Sequence, residues 1–293
     1  MKISVCIPVY NFDVRELVFS LSKEIENQKL NAEIILIDDA STKEFVAINE
    51  PLKNNVTQFI FLEKNIGRSS IRNLFLNYAS GDFLLFLDCD AKIISENFIK
   101  NYIDFITENA NSTVIYGGFE TIKTNPIYLR QKYSLNAEIV PIFKRKLNPY
   151  NSFRGINFVV KKEILAKFPF NENLKNYGYE DFLFAKKLEI EKINIHHLEN
   201  SVLHNDDENA LEYLSKTEIG ICNLVNLYKE NPLLIKDIKL INAYLFLKKW
   251  GLERFSLFLF KIVKPYLKSR LLKQNPKLFY FNFYKLGIFI ENI

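Results

Sequence analysis

Two pairs of acidic residues follow short apolar segments of the sequence. Asp38 and Asp39 come after one such segment, and Asp88 and Asp90 come after another. Continuous apolar segments of this length indicate buried strands. If both strands lie in one open parallel sheet, their carboxyl ends meet at the edge where such sheets bind ligands. Acidic side chains gathered there repel one another unless a cation lies among them, and their hard oxygen atoms favour Mg²⁺ or Mn²⁺ with a phosphorylated ligand.

Each acid taken alone has a structural alternative. Asp38 can be an N-cap or turn residue, and Asp88 can be a solvated residue at a strand end. Two pairs at matching strand ends favour the interpretation as a ligand site.

Basic residues lie between the two acidic pairs. Gly67 allows a tight turn into a helix whose first turn holds Arg68, and Arg72 follows one turn later on the same face. The N-terminus of a helix with two basic side chains is suited to a diphosphate. A single arginine on a helix usually faces solvent, but this helix begins at the ligand-binding edge of the predicted sheet.

A third polar group comes later in the chain. Glu180 and Asp181 follow Gly178 at the start of a predicted helix, and His204 follows a strand-like segment. Acids at a helix N-terminus stabilise the helix for structural reasons alone, so that alternative stays open. A lone histidine is also more often structural or solvated than functional.

In the first 120 residues, apolar segments typical of buried strands alternate with segments that have the apolar spacing of a helix. The apolar pattern predicts strands over 3–9, 33–37, 57–62, 83–87 and 113–116, and helices over 14–27, over 67–79 and from Ser95 onward. Continuously apolar strands that alternate with helices indicate an α/β fold, with a parallel sheet covered by helices on both faces.

The pattern changes in the second half. Residues 125–152 are polar and contain proline, which predicts a long connection or a lobe over the edge of the sheet. Regular structure is expected again over 155–160, and residues 192–198 are strand-like. Further helices are predicted after Tyr179, over 208–228 and from Pro232 onward, where Gly251 and Pro265 interrupt the helical spacing.

Composition narrows the class of protein. The chain has 293 residues, of which 48% are hydrophobic and 25% charged, so fibrous, low-complexity and wholly disordered classes are excluded. Cys6, Cys89 and Cys222 are odd in number and far apart, which predicts neither a disulfide framework nor a cysteine zinc site. The segment 1–11 lacks the apolar core of a secretory signal. We therefore expect a reducing, cytoplasmic location.

Charge is distributed unevenly along the chain. Residues 236–293 contain 12 Lys or Arg and 3 Asp or Glu, a net charge of +9, which leaves −4 of the total of +5 for the first 235 residues. No membrane span is predicted in the basic, aromatic tail, because its uncharged apolar segments are too short to cross a bilayer. It fits an interfacial helix on an anionic membrane surface, or packing against the main domain or another subunit in an oligomer. A nucleic-acid partner is not expected, because no recognisable motif is present.

Five short motifs occur in order along residues 2–206. They are SVCIPVYN from Ser4, LIDDAS from Leu36, NIGR from Asn65 with Arg72 and Asn73, LDCD from Leu87, and GYED from Gly178. With this ordered set the chain resembles the family 2 glycosyltransferases of the GT-A fold, and Gly-x-Glu-Asp resembles a C-terminal motif of galactosyltransferases. The tyrosine-rich segment before that motif lacks the tryptophan common in galactosyltransferases, so the resemblance does not imply galactose.

The resemblance implies an architecture. It is a GT-A domain over residues 1–230, with a Rossmann-like, mostly parallel sheet and helices on both faces. Residues 1–120 would form its nucleotide-binding half and residues 121–230 its acceptor and catalytic half. A basic, aromatic helical extension would follow over residues 231–293.

The resemblance also implies donor-binding residues. Pro8, Tyr10 and Asp39 match positions that hold the nucleotide base and ribose, with Asp39 accepting from the uracil ring. Arg68 and Arg72 match positions near the uridine and diphosphate. Two more donor-binding positions, beside the transferred sugar, are matched by Gly155 and Asn157.

Metal and catalytic positions follow from the same resemblance. Asp88 and Asp90 match an Asp-x-Asp motif whose last residue ligates the metal, and His204 matches a further metal ligand. Asp181 matches the catalytic base, and Glu180 matches the neighbouring acid that helps to hold the acceptor.

The implied activity is a transfer with inversion at the anomeric carbon. It uses Mn²⁺ or Mg²⁺ and a nucleotide-sugar donor, with a UDP-sugar favoured. A carboxylate removes the proton of the acceptor hydroxyl, and the metal and the helix N-terminus stabilise charge on the departing diphosphate. The acceptor is expected to be a carbohydrate or a lipid-linked glycan in polysaccharide or surface-glycan synthesis, with the enzyme peripheral on the inner face of the cell membrane.

Two other functions compete with this one. A non-catalytic sugar-nucleotide-binding or scaffolding protein of the same fold would keep the sheet, but the presence of Asp181 and His204 argues against it. A phosphatase of the haloacid dehalogenase type would use Asp88 as a nucleophile, normally on the earliest strand. Here at least three predicted strands precede that residue, and Asp39 would have no role.

Overall fold

The computed structural model describes residues 1–174, 178–204 and 208–293. The strands are β1 Ile3–Val9, β2 Ala32–Asp38, β3 Gln58–Phe61, β4 Phe83–Leu87, β5 Ala91–Ile93, β6 Val114–Tyr116, β7 Phe119–Glu120, β8 Asn157–Lys161, β9 Ile195–His197 and β10 Val202–His204. The helices are α1 Arg15–Gln28, α2 Lys43–Asn49, α3 Arg68–Leu74, α4 Phe98–Glu108, α5 Leu129–Tyr133, α6 Ile142–Leu147, α7 Lys162–Lys167, α8 Glu180–Ile190, α9 Ala210–Glu230, α10 Lys239–Lys249, α11 Glu253–Leu271 and α12 Leu278–Asn292.

The described strands form two sheets. The larger has the order β3-β2-β1-β4-β8-β6-β9, and every neighbouring pair in it is parallel except the two pairs that β8 makes with β4 and β6. The prediction of a mostly parallel sheet is confirmed. The reversed direction of β8 was not predicted, because a buried strand has the same apolar pattern in either direction.

The reversal of β8 has a consequence for the edge of the sheet. Because β8 begins where its neighbours end, Asn157 pairs with Leu87 at the end of β4. The backbone N–H of Asp88 then donates to the carbonyl of Ile156 at 3.0 Å. Residues 155–157 are thereby fixed beside the first residue of the Asp-x-Asp motif.

Apolar side chains cover both faces of the larger sheet. In β1, Val5 and Ile7 pack on one face with α1 and α4, whereas Cys6 packs on the other with α3, α7 and α8. This alternation is the two-residue period of a strand, and both of its sides are buried because helices lie on both faces. The prediction of helices on both faces is confirmed.

The smaller sheet has the order β5-β10-β7. Its strands have two or three residues each, too few for a hydrophobic period, and this explains why the sequence did not predict it. It pairs His204 of β10 with Ala91 of β5. The sheet therefore holds His204 beside the end of the Asp-x-Asp motif.

The chain divides into two compact units. The first comprises Met1–Ile122, Ile139–Lys175 and Glu180–Asn205, and the second comprises Lys123–Glu138, Asn176–Tyr179 and Asp206–Ile293. This division differs from the predicted boundary at residue 230, because α9 packs against α12 and joins the predicted tail.

The second unit is helical and has its own core. Tyr284 of α12 donates a hydrogen bond to Glu218 of α9, and Phe281 contacts the rings of Tyr133 and Tyr213. Within the described part of the chain, every helix is too short or too polar to be a membrane span.

Two details of the helical prediction differ from the structure. Residues 125–152 contain α5 and α6, and Pro265 lies inside α11 and does not end it. Leu267 and Leu271 are buried beyond the proline, so their packing outweighs the one backbone hydrogen bond that it removes.

Candidate active site

The carboxyl ends of β1 and β2 hold the predicted base-binding residues. Pro8 lies in β1, opposite Ile37 of β2, and the ring of Tyr10 is 52% exposed at the end of β1. Asp39 is buried, and its carboxylate accepts hydrogen bonds from the backbone N–H groups of Ile66 at 2.7 Å and Gly67 at 3.2 Å. Burial raises the pKa of Asp39 despite these two donors. Asp39 therefore fixes the turn that begins α3, in addition to any ligand contact.

Two arginines of α3 hold both oxygens of Asp88. Arg68 donates to Oδ2 at 3.1 Å, and Arg72 donates to Oδ1 at 3.1 Å. Burial acts to raise the pKa of Asp88, but the two guanidinium groups outweigh it and the pKa is lowered. Asp88 is therefore a carboxylate at neutral pH.

The same arginines extend to the second acidic pair. Nη1 of Arg68 donates to Oε1 of Glu180 at 3.3 Å, and Nη1 of Arg72 lies 3.7 Å from Oδ1 of Asp181. Glu180 and Asp181 come at the start of α8, more than a hundred residues after α3. The structure thus brings the predicted diphosphate residues and the predicted catalytic acids into one cluster.

The two carboxylate oxygens of Asp181 differ in their hydrogen bonding. Its Oδ2 accepts from the backbone N–H of Gly155 at 2.8 Å, whereas Oδ1 accepts no hydrogen bond from the described residues. Burial raises the pKa of Asp181, the nearby Arg72 opposes this, and Glu180 adds to it. The side chain keeps 23% of its exposure. A partly exposed carboxylate with a raised pKa is suited to accept a proton.

Gly155 is required by this arrangement. A Cβ built on it would lie 2.4 Å from Oδ1 of Asp181 and 3.0 Å from Arg72. The carbonyl of Gly155 also accepts from Nη2 of Arg72 at 3.2 Å. Only a glycine lets the backbone approach both charged groups at once.

Asp88, Asp90 and His204 form a group that fits a metal ion. One ligand atom from each can be chosen so that all lie within 4.8 Å of one another, and Nε2 of His204 lies 3.3 Å from Oδ2 of Asp90. Burial is the main cause that raises the pKa of Asp90. Two carboxylates and an imidazole are a donor set that Mn²⁺ accepts. A bound cation would also offset the free-energy cost of burying the charged form of Asp90. Because both oxygens of Asp88 already accept from arginines, Asp90 and His204 are the better placed pair.

Asn157 does not present its side chain to this cluster. It is fully buried, and its amide accepts from the hydroxyl of Tyr102 at 2.7 Å and donates to the carbonyls of Gly118 at 2.9 Å and Asn200 at 2.8 Å. These bonds tie β8 to the neighbouring connections. In the structure, the side chain of this predicted donor-binding residue has a structural role.

One aromatic contact of the charged cluster around Arg72 was not predicted from the sequence. The ring of Phe170 lies 5.4 Å from the guanidinium carbon of Arg72 and packs 4.3 Å from the ring of Phe184. Phe170 lies in a loop with no helical or strand period, so no pattern pointed to it. Its ring helps to hold the buried guanidinium in place.

The sequence model of the family described as Glycosyl transferase family 2 matches residues 4–172. The chain belongs to this family. The match includes the first acidic pair, α3, the Asp-x-Asp motif and Gly155, and it ends before Glu180.

TarS of Staphylococcus aureus (strain Mu50) is a poly(ribitol-phosphate) beta-N-acetylglucosaminyltransferase. It is 34% identical over 119 residues, which are 39% of this chain and 20% of TarS. This chain therefore spans about a fifth of the length of that relative. The crystal structure of TarS 1–349 in complex with UDP has a TM-score of 0.53 at 22% identity and covers 100% of this chain and 89% of that one.

Two other proteins are similar over most of their length. The cholesterol galactosyltransferase of Borreliella burgdorferi is 27% identical over 263 residues, which are 78% of this chain and 72% of that protein. The structure of the mannosyltransferase PcManGT from Pyrobaculum calidifontis, in complex with GDP-Man and Mn²⁺, has a TM-score of 0.62 at 15% identity. The match covers 99% of this chain and 86% of that one. The structural matches show that the fold is GT-A.

Proposed function

We propose that the protein transfers a sugar from a nucleoside-diphosphate donor, with a UDP-sugar favoured, to a hydroxyl of a glycan or lipid-linked acceptor. The observation that carries this proposal is the set of contacts that Arg68 and Arg72 share. They donate hydrogen bonds to Asp88 and Glu180, and Arg72 also forms an ion pair with Asp181 at 3.7 Å. A diphosphate site and a proton acceptor in contact with one pair of cations are what a displacement at the anomeric carbon needs.

The leaving-group side of the reaction uses positive charge. Asp90 and His204, with Asp88, would hold Mn²⁺ or Mg²⁺, which when bound would neutralise charge on the departing diphosphate. Arg68 is 43% exposed and begins α3, so its guanidinium and the helix N-terminus can meet phosphate oxygens. Tyr10 and Asp39 would hold the base and ribose.

The acceptor side uses Asp181 as the base. Its carboxylate would take the proton of the acceptor hydroxyl while that oxygen attacks the anomeric carbon. Gly155 fixes Oδ2, and Arg72 keeps the carboxylate oriented. One base and one displacement invert the anomeric centre, and no covalent intermediate is involved.

The choice of donor and acceptor rests on similarity. The UDP complex of TarS supports a UDP-sugar. The activities of TarS and of the cholesterol galactosyltransferase support polymer and lipid hydroxyls as the classes of acceptor. We propose a role in polysaccharide or surface-glycan synthesis. The basic residues within 236–293 support a peripheral location on the inner face of the membrane.

The test is the release of UDP and the configuration of the product. Purified protein, Mn²⁺ and a panel of UDP-sugars are incubated with glycan and lipid acceptor fractions, and the anomeric proton of the product is assigned by NMR. We expect UDP release from one donor, its loss on addition of EDTA, and an inverted product. Binding of UDP-sugars without release from any donor would instead indicate a sugar-nucleotide-binding protein.

A further inference from the structure

Helix α11 has an apolar face that is covered within its own unit. Phe260, Leu267 and Leu271 are buried on it. Phe260 packs against α12 so closely that a Cβ at Gly287 would lie 2.1 Å from its ring. This buried face accounts for the packing of α11 in the second unit.

The opposite face of α11 is apolar and exposed. Its members recur at intervals of one, three and four residues, which puts them on one side of a helix. They are Phe255 (59% exposed), Phe258 (62%), Leu259 (39%), Ile262 (60%) and Tyr266 (56%). We call these five residues the α11 stripe. Single exposed apolar residues are normal on a protein surface, but a continuous stripe marks a contact surface.

Basic residues follow the stripe along one flank. Arg254, Lys261 and Lys268 are spaced by seven residues, which is two helical turns, so they form a line beside it. The only acid of α11 is Glu253, at its first position. The contact surface therefore combines apolar and positive character.

The end of α10 has the same composition. Phe246 is 61% exposed and Trp250, directly after the helix, is 65% exposed. Lys248 and Lys249 lie between them in sequence and are exposed. Aromatic rings beside lysines are suited to a boundary between an apolar medium and water.

We propose that the α11 stripe lies on an anionic lipid bilayer with the helix axis in the plane of the membrane. The inference rests on the proposed membrane location and specifies the surface that makes the contact. The apolar side chains would enter the boundary between headgroups and acyl chains, and the basic line would meet anionic headgroups. A second copy of the chain fits this surface less well, because an antiparallel symmetric contact through the stripe would bring the two basic lines together.

The test is sedimentation of the full chain with vesicles. We compare phosphatidylcholine vesicles with vesicles that contain about one third phosphatidylglycerol. Wild-type protein should sediment with the anionic vesicles and be released by salt. The variant with Lys261→Glu and Lys268→Glu should partition at least roughly twenty-five-fold more weakly, about fivefold for each charge removed. The variant with Phe258→Ser and Ile262→Ser should lose roughly tenfold for each residue.

Matched controls come from the first unit. Phe143→Ser removes an aromatic side chain that is also 62% exposed, and Lys23→Glu with Lys43→Glu reverses two exposed charges. Both controls should bind vesicles like wild type. Equal sedimentation with neutral and anionic vesicles, or equal losses in controls and stripe variants, would overturn the proposal. So would a wild-type dimer, measured by light scattering without lipid, that the Phe258 and Ile262 substitutions dissociate.

A separate readout keeps this inference apart from the proposed function. Thermal stabilisation by UDP and Mn²⁺ should be the same in wild type and in the stripe variants, since the substitutions lie outside the candidate active site. Normal UDP binding with failed vesicle binding would overturn only the membrane contact, whereas vesicle binding without any donor use would overturn only the proposed transfer.

Discussion

Nη1 of Arg72 lies 3.7 Å from Oδ1 of Asp181, at the centre of the candidate active site. The arginine side chain is only 2% exposed and also donates to Asp88 through Nη2. A single buried cation therefore contacts a carboxylate on the leaving-group side and the proposed base on the acceptor side. Burial raises the pKa of Asp181, and the positive charge of Arg72 opposes part of that rise.

Asp181→Asn should separate binding from transfer. The amide keeps the shape of the carboxylate but cannot take a proton from the acceptor. We expect kcat for transfer to fall by about 10²–10⁴-fold while the Kd of UDP with Mn²⁺ changes little. Product formation and calorimetric titration of UDP measure the two effects. Asp104→Asn, at an exposed position of α4, is the matched control and should retain full activity. Full transfer by Asp181→Asn would remove the assignment of the base.

Arg72→Lys should impair turnover more than Arg68→Lys. A lysine keeps the charge but cannot reach Asp88, the carbonyl of Gly155 and Asp181 together. We expect kcat of Arg72→Lys to fall about tenfold or more, whereas Arg68→Lys, at a side chain 43% exposed, should mainly raise the KM of the donor. Steady-state kinetics with the donor varied measure both parameters. Equal kcat for wild type and Arg72→Lys would contradict the bridging role.

The raised pKa of Asp181 predicts the acid limb of the pH profile. The base works only when deprotonated, so kcat/KM for the acceptor should fall as pH drops through its pKa, which lies above the ordinary aspartate value of about 4. Arg72→Gln removes a charge that stabilises the carboxylate, so the limb should move to higher pH. Initial rates across the acid range test this. A limb that stays in place in the variant would show that another group limits the rate.

The sequence predicted which segments form the strands of the larger sheet better than it predicted how distant segments pair with one another. Continuous apolar segments and helical spacing were enough to identify β1, β2 and β4 and their helices. They contained no information about strand direction in β8 or about the three short strands that hold His204, because those features depend on pairing between distant segments. The motifs identified the charged residues of the site. The side chain of Asn157 turned inward because its amide satisfies three buried polar groups, which a motif does not reveal.

Asp90→Ala should weaken metal-dependent nucleotide binding. Asp90 and His204 are the better placed ligand pair, so loss of one carboxylate should remove most of the additional stabilisation that Mn²⁺ gives with UDP. Thermal unfolding with UDP alone and with UDP and Mn²⁺ measures the difference. Asp13→Ala, an exposed acid of the same unit, should keep the full effect of Mn²⁺. An unchanged Mn²⁺ effect in Asp90→Ala would place the metal elsewhere.

Glu33→Gln should lower stability at neutral pH without a change in the site. The carboxylate of Glu33 accepts from Lys2 at 2.7 Å, from the hydroxyl of Ser4 at 2.5 Å and from the backbone N–H of Ser80 at 2.8 Å. Burial opposes its ionisation, but these donors prevail and lower the pKa of Glu33 to about 2. The carboxylate therefore contributes stability at pH values above its unfolded pKa of about 4.3, and that contribution is lost as pH falls toward 2.

Urea unfolding between pH 7 and pH 3 measures the effect of Glu33→Gln. At pH 7 we expect a loss of about 1–2 kcal/mol in the free energy of unfolding. The difference from wild type should narrow below about pH 4, because only wild type has the contribution of the Glu33 carboxylate to lose there. Glu50→Gln, at an exposed side chain paired with Lys53, should unfold like wild type at every pH, since exposed ion pairs contribute little. A constant difference between Glu33→Gln and wild type across the range would show that packing, and not the charge of Glu33, stabilises this end of the sheet.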